Sequence, residues 1–184
     1  MPIDVGSIAS DFTLKDQSGK PRSLKDYRGR IVVLYFYPED DTPLCTTQAC
    51  QFRDNTPDLA EAGAVVLGIS PQGVASKRAF ADKFELPFPL LADDEPSPDR
   101  PRVSTRYGAW GEKNMYGKTI IGMARTTYLI DADGRVAKRW DRVKTPKHGA
   151  VVLAAVREFQ AGSKGTSERK PSSRAKKAAR RKRV

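Results

Sequence analysis

Tyr35-Phe-Tyr-Pro-Glu-Asp-Asp-Thr-Pro-Leu-Cys45-Thr-Thr-Gln-Ala-Cys50 runs a strand into the start of a helix and carries both cysteines of the 184-residue chain. Ile31 to Tyr37 is an unbroken run of apolar, β-branched and aromatic residues, the pattern of a strand covered on both faces. Pro38 ends it. Thr42 followed by Pro43 reads as an N-cap and first helical residue, because the hydroxyl can accept a free backbone N–H and proline lacks the donor that would go unpaired. Cys45 then falls in the first helical turn. The partial positive charge of a helix end favours thiolate over thiol, and an ordinary thiol with pKa about 8.5 is only slightly ionised near neutrality. Cys45 is therefore the candidate nucleophile.

Two other readings of the cysteines are open at this point. They could be small buried hydrophobes, the ordinary fate of free cysteines, although a capped helix start directly after a core strand argues against it. Zinc is weaker. With two cysteines and one histidine, His148, about a hundred residues away, four ligands would need carboxylates at unusual spacing.

The five-residue spacing has its own consequence. Positions i and i+5 of an α-helix differ by about 7.5 Å of rise and about 140° of rotation. A disulfide needs Cα atoms within about 7 Å and converging Cβ vectors, so Cys45 and Cys50 cannot bond while that helix is intact. Redox pairing demands local unwinding. Thr46 and Thr47 are β-branched, and Thr56-Pro57 predicts a break or kink about three turns into the helix, leaving a short separable segment.

Pro38, Thr42 and Cys45, in the order Pro-x-x-x-Thr-x-x-Cys, resemble the active-site motif of peroxiredoxins. Phe36-Tyr-Pro, Thr42-Pro-x-Cys45, Ala49-Cys50 and Phe52-Arg-Asp are similar to the bacterioferritin comigratory protein, or peroxiredoxin Q, subfamily. The likeness extends to Gly6–Phe12, to Gly68-Ile-Ser, to Trp110-Gly-Glu-Lys, which resembles a characteristic loop of the family, and to Arg125-Thr-Thr-Tyr-Leu-Ile-Asp-x-Asp-Gly134, which resembles the strand and turn that carry its arginine. The resemblance implies a thiol peroxidase in which Cys45 attacks a hydroperoxide and Cys50 resolves the sulfenic acid as an intramolecular disulfide. It also implies that Thr42 hydrogen-bonds the peroxide, Pro38 shields the site from water, and Arg125 holds the thiolate and the charge developing on the leaving oxygen. Thioredoxin or a similar dithiol would be the reductant; no cofactor or metal is implied, and a monomer is the expected state. Fixed donors and a permanent cation suit a reaction in which charge moves from sulfur to oxygen, and no histidine base is required.

Leu44 departs from the family pattern, which often has glycine before the peroxidatic cysteine, and its bulk bears on the pocket mouth and on unwinding. The segment Asp93–Pro101 is longer than usual and reads as a rigid exposed loop. Arg125, with apolar residues on both sides, reads as the start of a core strand, where a charge wants a partner. His148 is expected at the solvated start of the last helix. Arg53 could support the site or lie on a wet helix face, and the wet face is the favoured reading.

With 39% hydrophobic residues the chain can bury one core, and no apolar run approaches bilayer length. The opening Met1-Pro-Ile-Asp-Val-Gly has no secretory pattern, and two cysteines without a disulfide framework suit a reducing compartment, so the cytoplasm is expected, with the nucleus an alternative for a eukaryotic source. Element types alternate: a hairpin around Asp16-Gln-Ser-Gly19, strand 31–37, helix 43–62 with its break, strand 64–70, helix 74–84, a short strand near Pro89-Leu-Leu, a hairpin of strands 125–130 and 135–140, and a helix from about 147 to 159. That order predicts an α/β thioredoxin-like fold, a central mixed sheet flanked by helices, with an N-terminal β-hairpin. Domain limits of 1–161, followed by a tail over 162–184, complete the expectation.

Charge is concentrated in that tail. Residues 161–184 hold ten Lys or Arg against one Glu, net +9, whereas residues 1–160 are net +2. Without apolar anchors the tail is expected to be disordered. It reads equally as a solubilising extension or as an arm for nucleic acid. Three function classes therefore compete: a thiol peroxidase, a thioredoxin-type disulfide reductase, which would want Cys-x-x-Cys, and a nucleic-acid-associated binding protein, which accounts for the tail but not for the cysteine site. Removal of the chain after Gly162 is expected to leave peroxidase turnover intact while abolishing retention on duplex DNA at low salt. Each phosphate that the arm neutralises steepens the fall of log affinity against log salt by about 0.9; retention of both forms, or of neither, would rule out the nucleic-acid arm.

Overall fold

Strand β3 (Ile31–Phe36) is buried at every residue, and its alternation divides the interior into two cores. A computed structural model describes residues 2–167, with side chains for residues 2–162. Ile31, Val33 and Tyr35 share one cluster with Phe52 and Leu59 of α1 (Pro43–Glu61), Phe80 of α2 (Val74–Phe84), and Val152 and Val156 of α4 (His148–Ser167). Val32, Leu34 and Phe36 share the other with Phe12, with Val103 of α3 (Arg102–Arg106) and with Tyr107. Period-two alternation with both faces apolar is what places this strand in the middle of a sheet covered on both sides.

Among the described residues the sheet has seven strands. β1 (Thr13–Lys15), β2 (Pro21–Ser23), β4 (Ala64–Ser70), β5 (Leu90–Ala92), β8 (Thr126–Ile130) and β9 (Val136–Trp140) surround β3 in the order β2-β1-β5-β4-β3-β8-β9. β3 runs parallel to β4 and antiparallel to β8, and β4 is parallel to β5, so the sheet is mixed, as expected for the thioredoxin-like fold. Gly68 lies opposite Tyr35 in the register, where a Cβ would come within 2.9 Å of the Tyr35 ring. Only glycine lets that ring lie flat over β4.

Three local expectations need correction. α1 does not break at Thr56-Pro57 but continues to Glu61. Thr56 Oγ1 donates to the Phe52 carbonyl at 2.7 Å and Asn55 Nδ2 to the Gln51 carbonyl at 2.7 Å, while Leu59 is buried beyond the proline. Packing of the turn beyond it into the core thus outweighs the proline penalty of about 3 kcal/mol. Second, Trp110-Gly-Glu-Lys is not a loop. It begins β6 (Trp110–Met115), which pairs with β7 (Lys118–Met123) in a separate antiparallel hairpin turned by Tyr116 and Gly117, both at positive φ. Third, α4 passes its expected end near residue 159 and reaches Ser167. The basic tail expected to be disordered lies, from residue 168 onward, outside the described residues. Among the described residues no helix is long and apolar enough to cross a membrane.

His148 also departs from expectation. It is buried, not solvated: its Nε2 and Thr127 Oγ1 are 2.9 Å apart, and its ring meets Phe52 and Trp140 edge-on. The charged neighbours Lys144 and Lys147 disguised it. Gly149 lets the start of α4 press against α1, where a Cβ would sit 3.0 Å from Gln51 Cβ. Burial lowers the imidazole pKa from 6.5 to about 4. Because the folded value is depressed, the unfolded chain binds the proton more tightly between those limits, and stability falls as pH drops from 6.5 towards 4, by up to about 1.4 kcal/mol per pH unit. Urea unfolding at about pH 7 and about pH 5 is expected to show this loss, and His148→Gln to remove that contribution; an identical pH slope in the variant would show that His148 does not control it.

Candidate active site

The register between β3 and β8 sets the site. Phe36 pairs with Thr126, so Arg125, just ahead of β8, stands beside the chain as it leaves β3 for α1. Arg125 is thus at the link between β7 and β8, one residue before the strand expected to begin with it. Its backbone carbonyl accepts from Val143 N at 3.0 Å, which fixes that link to the segment after β9.

Thr42 is the N-cap residue, with extended backbone, and its carbonyl accepts the first helical bond from Thr46 N at 2.8 Å. Its side chain does not cap the helix. The hydroxyl donates backwards to the Glu39 carbonyl at 2.9 Å, closing the loop instead. Cys45 follows in the first turn and is 1% exposed. Arg125 Nη2 donates to Cys45 Sγ at 3.2 Å and Nη1 donates to Gln48 Oε1 at 3.1 Å. One guanidinium therefore spans the sulfur and an amide one helical turn further on.

Gln48 is the residue the sequence reading missed. It is fully buried, and its Nε2 has no hydrogen-bond partner among the described residues. The signal was its spacing, since i+3 from Cys45 puts a polar side chain on the same buried helix face. As an amide it accepts from Arg125 without neutralising it, leaving the full cationic charge directed at sulfur.

Both cysteines are free thiols; Cys45 is buried and Cys50 half-buried on the same unbroken helix, so the five-residue geometry keeps them apart in this state. Pro38 is half-buried, and its carbonyl accepts from Gln72 Nε2 at 3.2 Å. Leu44 is 57% exposed and borders, with Arg125, Val143, Lys144, Thr145 and Pro146, a cavity of about 510 Å³. Arg53 lies elsewhere and is not simply wet: its side chain is one-third exposed, bonded to Asp54 at 3.0 Å and to the Phe84 carbonyl at 2.8 Å, joining α1 to α2. In the 93–101 segment Asp93 is buried and accepts from Val103 N and Ser104 N, holding the start of α3, while residues 95, 96 and 98–100 are exposed.

The AhpC/TSA family model matches residues 5–139. The chain belongs to that family. Peroxiredoxin Bcp of Bacillus subtilis is 41% identical over 159 residues, covering 86% of this chain and 98% of the relative, and Peroxiredoxin Bcp of Escherichia coli K12 is 43% identical over 157 residues, covering 85% and 97%. Among solved structures, the bacterioferritin comigratory protein of Xanthomonas campestris superposes with a TM-score of 0.75 at 34% identity, covering 86% of this chain and 98% of that one. A PrxQ mutant from Xylella fastidiosa gives 0.78 at 29% identity, with 86% and 98% covered. This peroxiredoxin is accordingly a thiol-dependent peroxidase with the two-cysteine complement of the Bcp/PrxQ branch. Those relatives are bacterial and lend no support to the nuclear alternative.

Arginine at 125 supplies a planar fork that reaches sulfur and amide together. Arg125→Lys keeps a charge and loses the fork, and Arg125→Ala loses both. The rate of Cys45 oxidation measured by stopped flow is expected to fall in that order, by on the order of a hundredfold for alanine, with thermal stability little changed. Wild-type rates in both would place Arg125 outside the chemistry.

Proposed function

We propose that the enzyme reduces hydrogen peroxide and organic hydroperoxides through Cys45, resolves the product with Cys50, and is recycled by thioredoxin or a similar dithiol. The contact between Arg125 Nη2 and the buried Cys45 sulfur carries this reading. The Cys45 thiolate attacks the terminal oxygen of ROOH; the S–O bond forms as the O–O bond breaks, and the alkoxide takes a proton and leaves as ROH. Sulfur is oxidised to sulfenic acid and the peroxide is reduced. Arg125, a fixed cation at the sulfur, stabilises the charge as it passes towards oxygen.

Thr42 keeps an acceptor lone pair while donating to Glu39, and so can receive the peroxide O–H. Pro38 has no N–H to hold water at the mouth. After oxidation the first turns of α1 unwind, the Cys50 thiol displaces hydroxide from the Cys45 sulfenic sulfur, and water leaves with a disulfide in place. A dithiol then reduces that disulfide by exchange. The cavity beside Leu44 and Arg125 gives an organic substituent room, and the bacterioferritin comigratory protein of Xanthomonas campestris is described as having an alkyl peroxide reduction activity.

We take residues 1–161 as the catalytic unit, monomeric and working in the reducing cytoplasm, and the tail as an accessory. A chain that is chiefly a nucleic-acid binder would leave the Arg125–Cys45 contact without a purpose. Cys45→Ser is expected to abolish peroxide turnover with thioredoxin as reductant, whereas Cys50→Ser consumes about one equivalent and stops, because sulfenic acid forms without a resolving thiol. Undiminished turnover by the Cys45 variant would sink the assignment.

A further inference from the structure

Under the loop that joins β3 to α1 lies a polar cluster that takes no part in the steps above. Lys77, on α2, has no exposed surface, and the Asp40 side chain facing it is 4% exposed. Lys77 Nζ lies 3.0 Å from each Asp40 carboxylate oxygen and also bonds Ser70 Oγ. Tyr37 donates to Oδ1 of the same carboxylate at 2.6 Å and Ser76 to Oδ2 at 2.7 Å. The backbone joins in: Asp40 N donates to Gln72 Oε1 at 3.2 Å, and Gln72 Nε2 to the Pro38 carbonyl at 3.2 Å.

This arrangement is one-sided. Residues 37–40 are tied to β4, to α2 and to the turn between them, whereas Pro43, Leu44 and Thr47, on the first turns of α1, are exposed. Burial lowers the Lys77 ammonium to about 8 while the Asp40 charge opposes the drop, so Lys77 keeps its proton near neutrality. A buried pair of this kind is held in one geometry by its full set of partners, and removing one member strands the other charge.

We propose that Lys77 is a positioning residue for the peroxidatic site: through Asp40 it pins the Pro38–Thr42 loop to α2, so that the loop keeps its place beside Cys45 while the helix beyond it winds and unwinds. The proposal rests on the reading of Cys45 as the peroxidatic cysteine. It gives the molecule a fixed end and a moving end. Pro38 and Asp40 belong to the fixed end, and the turns of α1 from Pro43 to Cys50 to the moving one.

The test measures the second-order rate of sulfenic acid formation with hydrogen peroxide in a Cys50→Ser background, together with iodoacetamide alkylation of Cys45 and thermal melting. Lys77→Met is expected to slow oxidation about tenfold to a hundredfold, the scale of a small misplacement at a reacting centre, with alkylation unchanged. Asp40→Asn/Lys77→Met, which leaves no buried charge, is expected to regain melting temperature without regaining the oxidation rate. Tyr37→Phe and Ser76→Ala, which each remove one hydrogen bond and strand no charge, are expected to fold normally and slow oxidation by a smaller factor. Recovery of rate and stability together in the double variant, or wild-type oxidation in Tyr37→Phe and Ser76→Ala, overturns the proposal. Peroxide reaction that survives Cys45→Ser identifies the peroxidatic reading itself as the fault.

Discussion

A guanidinium held against a buried sulfur is the interaction on which this molecule turns. Arg125 and Cys45 are eighty residues apart, and they meet because β8 pairs antiparallel with β3 in a register that sets Thr126 opposite Phe36. Everything that fixes that register bears on the site: the two-sided burial of β3, the close approach of Tyr35 over Gly68, and the bond from Val143 N to the Arg125 carbonyl. A single-residue slip would turn each side chain of the strand to the opposite core.

In the proposed cycle, the same contact is tied to secondary structure that must later be released. Arg125 also binds Gln48, and Gln48 lies on the turns of α1 that have to unwind before Cys50 can reach Cys45. Winding the helix assembles cation, amide and sulfur; unwinding it disperses them. Gln48 Nε2, buried and without a hydrogen-bond partner among the described residues, belongs to the same turns. In the proposed cycle the ordered state is the one suited to attack on peroxide and the opened state the one suited to disulfide formation.

Much of the fold was legible because it depends on local pattern. The apolar run of β3, the Thr42-Pro43 helix start and the Asp131-Ala-Asp-Gly134 turn each follow from their own residues. The errors share a cause. Pro57 is a helix breaker in isolation, but Leu59 beyond it is packed into the core; Lys144 and Lys147 make His148 look wet, but the helix they precede is pressed onto α1; Tyr116-Gly117 turns a hairpin whose strands are mostly exposed and carry little hydrophobic alternation.

By itself the sequence singled out the candidate nucleophile and its setting at a helix start, the spacing that forbids a disulfide in an intact helix, the family motif and the concentration of positive charge at the C-terminal end. Those properties are short-range in the chain or additive over it, so no folding is needed to read them. Only the tertiary structure decided that Arg125 touches Cys45, that Gln48 shares its guanidinium, that the Thr42 hydroxyl turns to Glu39, and that Lys77 lies under the Pro38–Thr42 loop. Each of these depends on strand register and helix packing between distant segments, and a polar group finds its partner only after that packing has removed water from around it.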